Sequence, residues 1–139
     1  MDERCRREVI ELHQFFEEWF TAKREPTEEN FLRFSRVMGT GFEIISPDGD
    51  RRGREEMVEN LRNAHGVYRE ETFRIWIEGY RSRPLAEGLQ LVTYEEWQER
   101  ADGKRGRLST AVLRRNPDTP NGVEWLHVHE VWLPSRQGR

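Results

Sequence analysis

The apolar positions of this chain change period about halfway along it. Up to Gly66 they recur mostly at three- and four-residue steps, the spacing of one helical face; beyond it they alternate, the spacing of a strand. Over residues 3–22, Val9, Leu12, His13, Phe16 and Phe20 share one face, and Ile10, Phe15 and Trp19 widen it. So broad an aromatic face predicts a helix lying across a concave sheet. Pro26 ends the connection. Thr27, followed by Glu28 and Glu29, predicts an N-cap with carboxylates near the positive end of the next helix dipole. That second helix carries Phe31, Phe34, Val37 and Met38 and stops at Gly39. Residues 42–46 (FEIIS) read as a short strand and Pro47-Asp48-Gly49 as a turn. Met57, Val58, Leu61 and Ala64 then predict a third helix closed by Gly66.

Four strands follow, at residues 71–79, 88–100, 105–115 and 122–134. Asp102-Gly103 marks a hairpin, and residues 116–121 (NPDTPN) form a loop. The last strand, GVEWLHVHEVWLP, has large residues on both faces, which places it in the middle of the sheet. Strict alternation puts Trp125, His127, His129, Val131 and Leu133 on one face and Leu126, Val128, Glu130 and Trp132 on the other. Three helices ahead of one meander predict an α+β fold. The helices would cover the concave face of a curved antiparallel or mixed sheet and leave a cone-shaped cavity at one end. No linker, repeat or low-complexity stretch interrupts residues 1–139, which read as one domain.

Composition narrows the choice of partner. Apolar residues (AVILMFWYC) make up 35% of the chain and charged residues another 35%. Five Trp and seven Phe concentrate the apolar share in a few large side chains, which suits a small core with a shaped cavity. A net charge of −3, from 23 Lys and Arg against 26 Asp and Glu, leaves no basic excess for nucleic acid. The lone Cys5 excludes a disulfide framework and a thiol-based zinc site. No apolar run reaches the ~18 residues of a membrane span. The N-terminus lacks an apolar signal core, so a cytoplasmic protein with no membrane partner is expected.

Candidate chemistry gathers on the strands. Glu95-Glu96 guarantees one carboxylate on each face of its strand. Facing an apolar cavity, such a carboxylate is a candidate base or neutral donor; the other reading pairs it with an arginine, Arg107 being the neighbour-strand candidate. His127 and His129 have a metal-ligand spacing on a strand, but no local motif supplies a third ligand, and no metal is expected. Tyr94, Trp97 and Trp125, with Phe15, Phe16, Trp19 and Phe20, read either as core or as an aromatic cage. There is no Ser/His/Asp order, P-loop or dinucleotide fingerprint, and no cofactor is expected.

Two stretches carry a resemblance: FEIISPDGDRRGREEMVENL at residues 42–61, and STAVLRR with VEWLHVHEVW in the closing strands. Through them the chain resembles the nuclear transport factor 2-like superfamily, in its SnoaL-like, ketosteroid-isomerase-like branch, over residues 8–134. The closing strands are also similar to the association domain of calcium/calmodulin-dependent protein kinase, where an Arg-Arg hairpin precedes a Trp-x-x-Val-His strand. Trp125, Val128 and His129 match that motif. The resemblance implies a cystatin-like α+β roll with an apolar pocket. It also implies pocket positions: Glu96 and Thr110 stand where the kinase domain keeps arginines, and His129 matches its strand histidine. Tyr94 shares the face of Glu96, and His127 that of His129, by parity. On that footing Glu96 and His129 are the expected catalytic pair, with Tyr94, Thr110, His127, Trp19 and Phe16 around the ligand. If the parity fails, Glu95 and Glu130 become the candidates.

The superfamily includes isomerases, dehydratases, cyclases and oligomerisation modules, so two functions stay open. One is a cofactor-independent acid–base enzyme acting on a small apolar-to-amphipathic molecule. The other is a non-catalytic dimerisation or ligand-sensing module. A homodimer through the outer sheet face is expected from the bulky residues of the last strand.

Overall fold

The structure, a computed structural model, describes residues 1–134; the expected domain span of 1–139 includes residues 135–139, which lie outside the described ones. The elements are α1 (Asp2–Phe20), α2 (Glu28–Ser35), β1 (Met38–Ile45), β2 (Arg51–Gly53), α3 (Arg54–Asn63), β3 (Arg74–Ala86), β4 (Leu89–Arg100), β5 (Gly103–Arg115) and β6 (Val123–Trp132). The strands form one six-stranded sheet in the order β2-β1-β6-β5-β4-β3. Every pairing is antiparallel except β1 with β6, which is parallel. The sheet curls without closing and the three helices cover its concave side, which is the α+β architecture that the element order implies. No helix among the described residues is long and apolar enough to cross a membrane.

The Thr27 hydroxyl accepts from the Asn30 N–H at 3.1 Å, so α2 starts at the cap read from the sequence. Its end differs. Gly39 does not stop a helix; it lies in β1, which begins at Met38. A Cβ there would meet the Trp125 carbonyl oxygen at 2.9 Å, so only glycine lets β1 approach β6 this closely. The short Arg51–Gly53 stretch pairs antiparallel with β1 as the edge strand β2. On the opposite edge, β3 continues to Ala86, past Gly79 with φ of +62° and through Pro84. An edge strand tolerates both, since its outer N–H groups need no ladder partner.

The departure with the largest consequence is in β6. Val112 pairs with His127 and Leu113 with Trp125, so Leu126 is an extra residue on β6. The bulge breaks the strict alternation. Trp125 now faces inward with Val128 and Glu130, while His127 and His129 face outward.

Aromatic packing locks the helices together. Trp19 is 2% exposed, stacks on Phe15 at 5.5 Å between centroids and tilts against Phe31 at 5.2 Å. Its indole N–H donates to the Leu61 carbonyl at 2.8 Å, so this one side chain ties α1 to α2 and α3. A buried carboxylate does similar work at the other end of α1. Glu8 is fully buried and accepts from Arg33 Nη2 at 2.9 Å and Nη1 at 3.2 Å, from Asn121 Nδ2 at 3.1 Å and from Trp125 Nε1 at 2.9 Å. These bonds join α1 to α2, to β6 and to the loop before β6, and they satisfy a charge that burial alone would make costly.

Candidate functional site

Between the helices and the concave face lies a cavity of about 240 Å³. Its walls are mostly apolar: Leu12, Phe16 and Phe20 from α1, Phe34 from α2, Met57 and Leu61 from α3, and Phe42 and Val128 from the sheet. Across that lining runs one polar row. Strand register assembles it, because Glu96 pairs with Arg107, Tyr94 with Ser109 and Ser109 with Glu130. Paired residues of antiparallel strands point to the same face, so three strands deliver these groups to one side of the sheet.

The row is tightly bonded. Glu96 Oε1 lies 3.0 Å from His13 Nε2, and Glu96 Oε2 accepts from Gln98 Nε2 at 2.7 Å. Arg107 Nε is 3.7 Å from Glu96 Oε2, while its Nη1 donates to Glu130 Oε1 at 3.0 Å. The Ser109 hydroxyl donates to Glu130 Oε2 at 3.0 Å. His13 enters from α1 and is 3% exposed; Glu96 is 6% and Glu130 5% exposed.

The tautomer of His13 follows from its partners. Nδ1 lies 2.7 Å from the Val9 carbonyl, which can only accept, so Nδ1 carries a proton. A second proton is then shared between Nε2 and Glu96. Burial opposes charge on His13, but the hydrogen bond and negative charge of Glu96 outweigh it and raise the imidazole pKa above its ordinary value. Burial likewise opposes charge on Glu96. The His13 bond and charge, then Arg107 and Gln98, overcome it and hold this carboxyl well below the ordinary range. Glu130 goes the other way, pushed up first by burial and then by the charge of Glu96, against Arg107 and Ser109. Burial, with Glu130 and Glu96 beside it, raises Tyr94 far enough that it remains a neutral phenol. Two carboxylates on one row are therefore driven apart, one toward the ionised and one toward the neutral form.

The expected residues divide by face. Glu96, Tyr94 and Phe16 line the cavity. His129 and Thr110 do not: they pair with each other on the convex face, where His129 is exposed. His127 shares that face, half-buried, with Nδ1 3.9 Å from Glu43. The expected contact between Glu96 and His129 is thus replaced by Glu96 and His13, because the Leu126 bulge turns both β6 histidines outward. Trp19 is core between the helices and not part of the cavity wall. Glu95 sits on the opposite face from Glu96, with an oxygen accepting from Trp97 Nε1 at 2.9 Å. Among the described residues no group of three or more His, Cys, Asp and Glu could hold a metal ion.

His13, Gln98 and Ser109 were not singled out from sequence. Two signals were available. A histidine on the aromatic face of a helix needs a buried partner. The Asp102-Gly103 hairpin fixes the register that sets Arg107 opposite Glu96.

Comparison with known proteins agrees with this fold and adds a family. A model of the sucrose-6-phosphate phosphohydrolase C-terminal family matches residues 5–134. Sucrose-phosphatase 1 of Nicotiana tabacum is 25% identical over 127 residues, covering 91% of this chain and 30% of that protein. The chain thus spans about a third of the length of the curated relatives it matches. Among solved structures, an NTF-2 like protein of unknown function from Pseudomonas aeruginosa superposes with a TM-score of 0.82 at 23% identity, over 94% of this chain and 99% of that one. A CaMKII hub from S. rosetta superposes with a TM-score of 0.61 at 10% identity, over 86% and 92% of the two chains. This chain has the nuclear transport factor 2-like fold and belongs to the sucrose-6-phosphate phosphohydrolase C-terminal family.

Proposed function

We propose that the cavity binds a small, mainly apolar molecule through one polar group, and that the His13–Glu96–Arg107–Glu130 row receives that group. The observation that carries this reading is the row itself: three ionisable side chains from the sheet and His13 from α1 meet in a mainly apolar cavity. A core has no need of such a row, and burying it is costly unless each charge is matched. In the catalytic form of the reading, Glu130 exchanges a proton with the ligand, since its surroundings favour the neutral form more than those of Glu96 do. Glu96 stays ionised and keeps His13 protonated. The reaction class is proton abstraction beside a carbonyl, as an isomerase, cyclase or dehydratase requires.

The non-catalytic reading rests on a different observation: every buried side-chain polar atom among the described residues has a partner. A ligand-sensing or dimerisation module needs no group held in reserve. Leu108 and Val131 pair across β5 and β6 on the convex face at 39% and 50% exposure, and they supply an apolar centre for a homodimer. Cyclohexanone in D2O separates the alternatives. Binding is read from the methyl signals of Met38 and Met57, which line the cavity, and catalysis from deuterium entering beside the carbonyl. Methyl shifts that saturate, with exchange faster than in buffer and abolished by Glu130→Gln, support the enzyme. Saturation without exchange supports the module. Methyl signals unmoved by cyclohexanone would count against a ligand cavity altogether.

A further inference from the structure

The concave face does not end at the cavity. Beyond Glu96, β4 continues through Gln98 to Arg100, and beyond Arg107, β5 continues to Arg105, all on the same face by parity. Gln98 pairs with Arg105, and Arg107 with Trp132. These residues, with Tyr68, form a second recess of about 190 Å³, and Gln98 and Arg107 line both it and the cavity. Along this face the lining passes from apolar, through the carboxylates, to arginine.

The arginines are held in place yet not all neutralised. Arg105 lies 3.9 Å and Arg107 5.0 Å from the centroid of the Trp132 ring, and Arg100 lies 4.3 Å from that of Tyr68. Stacking on an aromatic face fixes a guanidinium and leaves its N–H edge free to donate. Arg107 is committed to Glu130 and Glu96, and Arg100 to Glu71 at 3.2 Å. Arg105 has no carboxylate within 4.0 Å among the described residues, although Asp102 also lines the recess. The recess therefore offers a positioned, uncompensated cation beside the Gln98 side chain and Arg100.

We propose that this recess is an anion subsite for the cavity ligand: it takes a carboxylate or phosphate group attached to an apolar body that occupies the cavity. The proposal rests on the ligand reading of the cavity and names the chemical class of that ligand, an organic acid with one anionic group at the end of an apolar body. Planar guanidinium forks match the oxygen pairs of both anions, and a recess partly walled by protein screens less than open water. Phosphate brings more charge but meets Asp102 and Glu71, so the two anions are distinguished by measurement.

The test compares hexan-1-ol, hexanoate and hexyl phosphate on the whole chain at one ionic strength. Met38 and Met57 methyl signals report the cavity, and the Trp132 indole N–H signal reports the recess. Binding of hexan-1-ol that moves only the methyl signals supports the cavity reading by itself. The expected result is that hexanoate or hexyl phosphate binds at least tenfold more tightly than the alcohol and also moves the Trp132 signal. Arg105→Gln, at an exposed position, removes that advantage and leaves the alcohol unchanged; Arg105→Lys retains part of it. Acids no tighter than the alcohol, or an advantage that survives Arg105→Gln, would overturn the subsite while the cavity reading stands. Should neither alcohol nor acids move the methyl signals, the cavity reading fails and the proposed ligand class goes with it.

Discussion

Two glutamates on the concave side of this fold are both buried and do different work. Glu8 is fully buried, and its four hydrogen bonds come from Arg33, Asn121 and Trp125, which belong to the helices, β6 and the loop before it. It lines no part of the cavity. Glu96 is 6% exposed, is bonded by His13 and Gln98, lies near Arg107, and does line the cavity. The difference is what stands on the free side of the carboxylate. Enclosed by donors on every side, a buried charge fixes how elements meet. Set on a cavity wall beside a second carboxylate, it can also adjust the charge state of its neighbours.

The comparison is broken most strongly at Glu8. Glu8→Gln keeps the shape but leaves the Arg33 guanidinium without its buried counter-charge, and a loss of about 3–5 kcal/mol is expected. Urea unfolding measures it, and a change below about 1 kcal/mol would mean that Glu8 is not a fastener. Ligand affinity per folded molecule should stay the same, because Glu8 does not face the cavity.

At Glu96 the expected loss is smaller and depends on pH. The His13–Glu96 coupling, taken from a cycle of His13→Gln, Glu96→Gln and the double variant, should reach about 1–3 kcal/mol. Glu96 has its pKa lowered from 4.5, so its contribution is complete above that value and is lost as the pH falls toward the lowered one. His13 has its pKa raised from 6.5, so its contribution is complete below that value and is lost as the pH rises through the raised one. The coupling should therefore be largest between pH 4.5 and 6.5 and shrink on both sides. A coupling that does not vary with pH would show that no proton is shared.

The smallest effect is expected on the convex face. His129→Asn should change stability by no more than about 0.5 kcal/mol, as exposed substitutions usually do. It should leave cyclohexanone binding untouched. Loss of binding in that variant, measured by the same methyl titration, would return His129 to the site and remove the face assignment.

Much of the architecture was legible in the residues. The helical period of α1 and α3, the Thr27 cap and the Asp102-Gly103 hairpin are local signals, and each has its counterpart in the structure. Glu96, Tyr94 and Phe16 reach the cavity because parity within β4 and the broad face of α1 are also local properties. Parity cannot be carried across an unseen bulge, however. Nothing in GVEWLHVHEVWLP marks Leu126 as the extra residue, and one inserted residue exchanges the faces of everything after it.

By itself, then, the sequence determined most of the elements, the class of fold and which residues of β4 share a face, since backbone preference and side-chain period act over a few residues. Tertiary structure decided the rest. The parallel pairing of β1 with β6 and the approach at Gly39 depend on chain segments some 80 residues apart, whose contact no local pattern encodes. The partner of Glu96 was settled in the same way: α1 crosses the concave face so as to bring His13 to it, 83 residues away in sequence, while the bulge in β6 turns His129 outward.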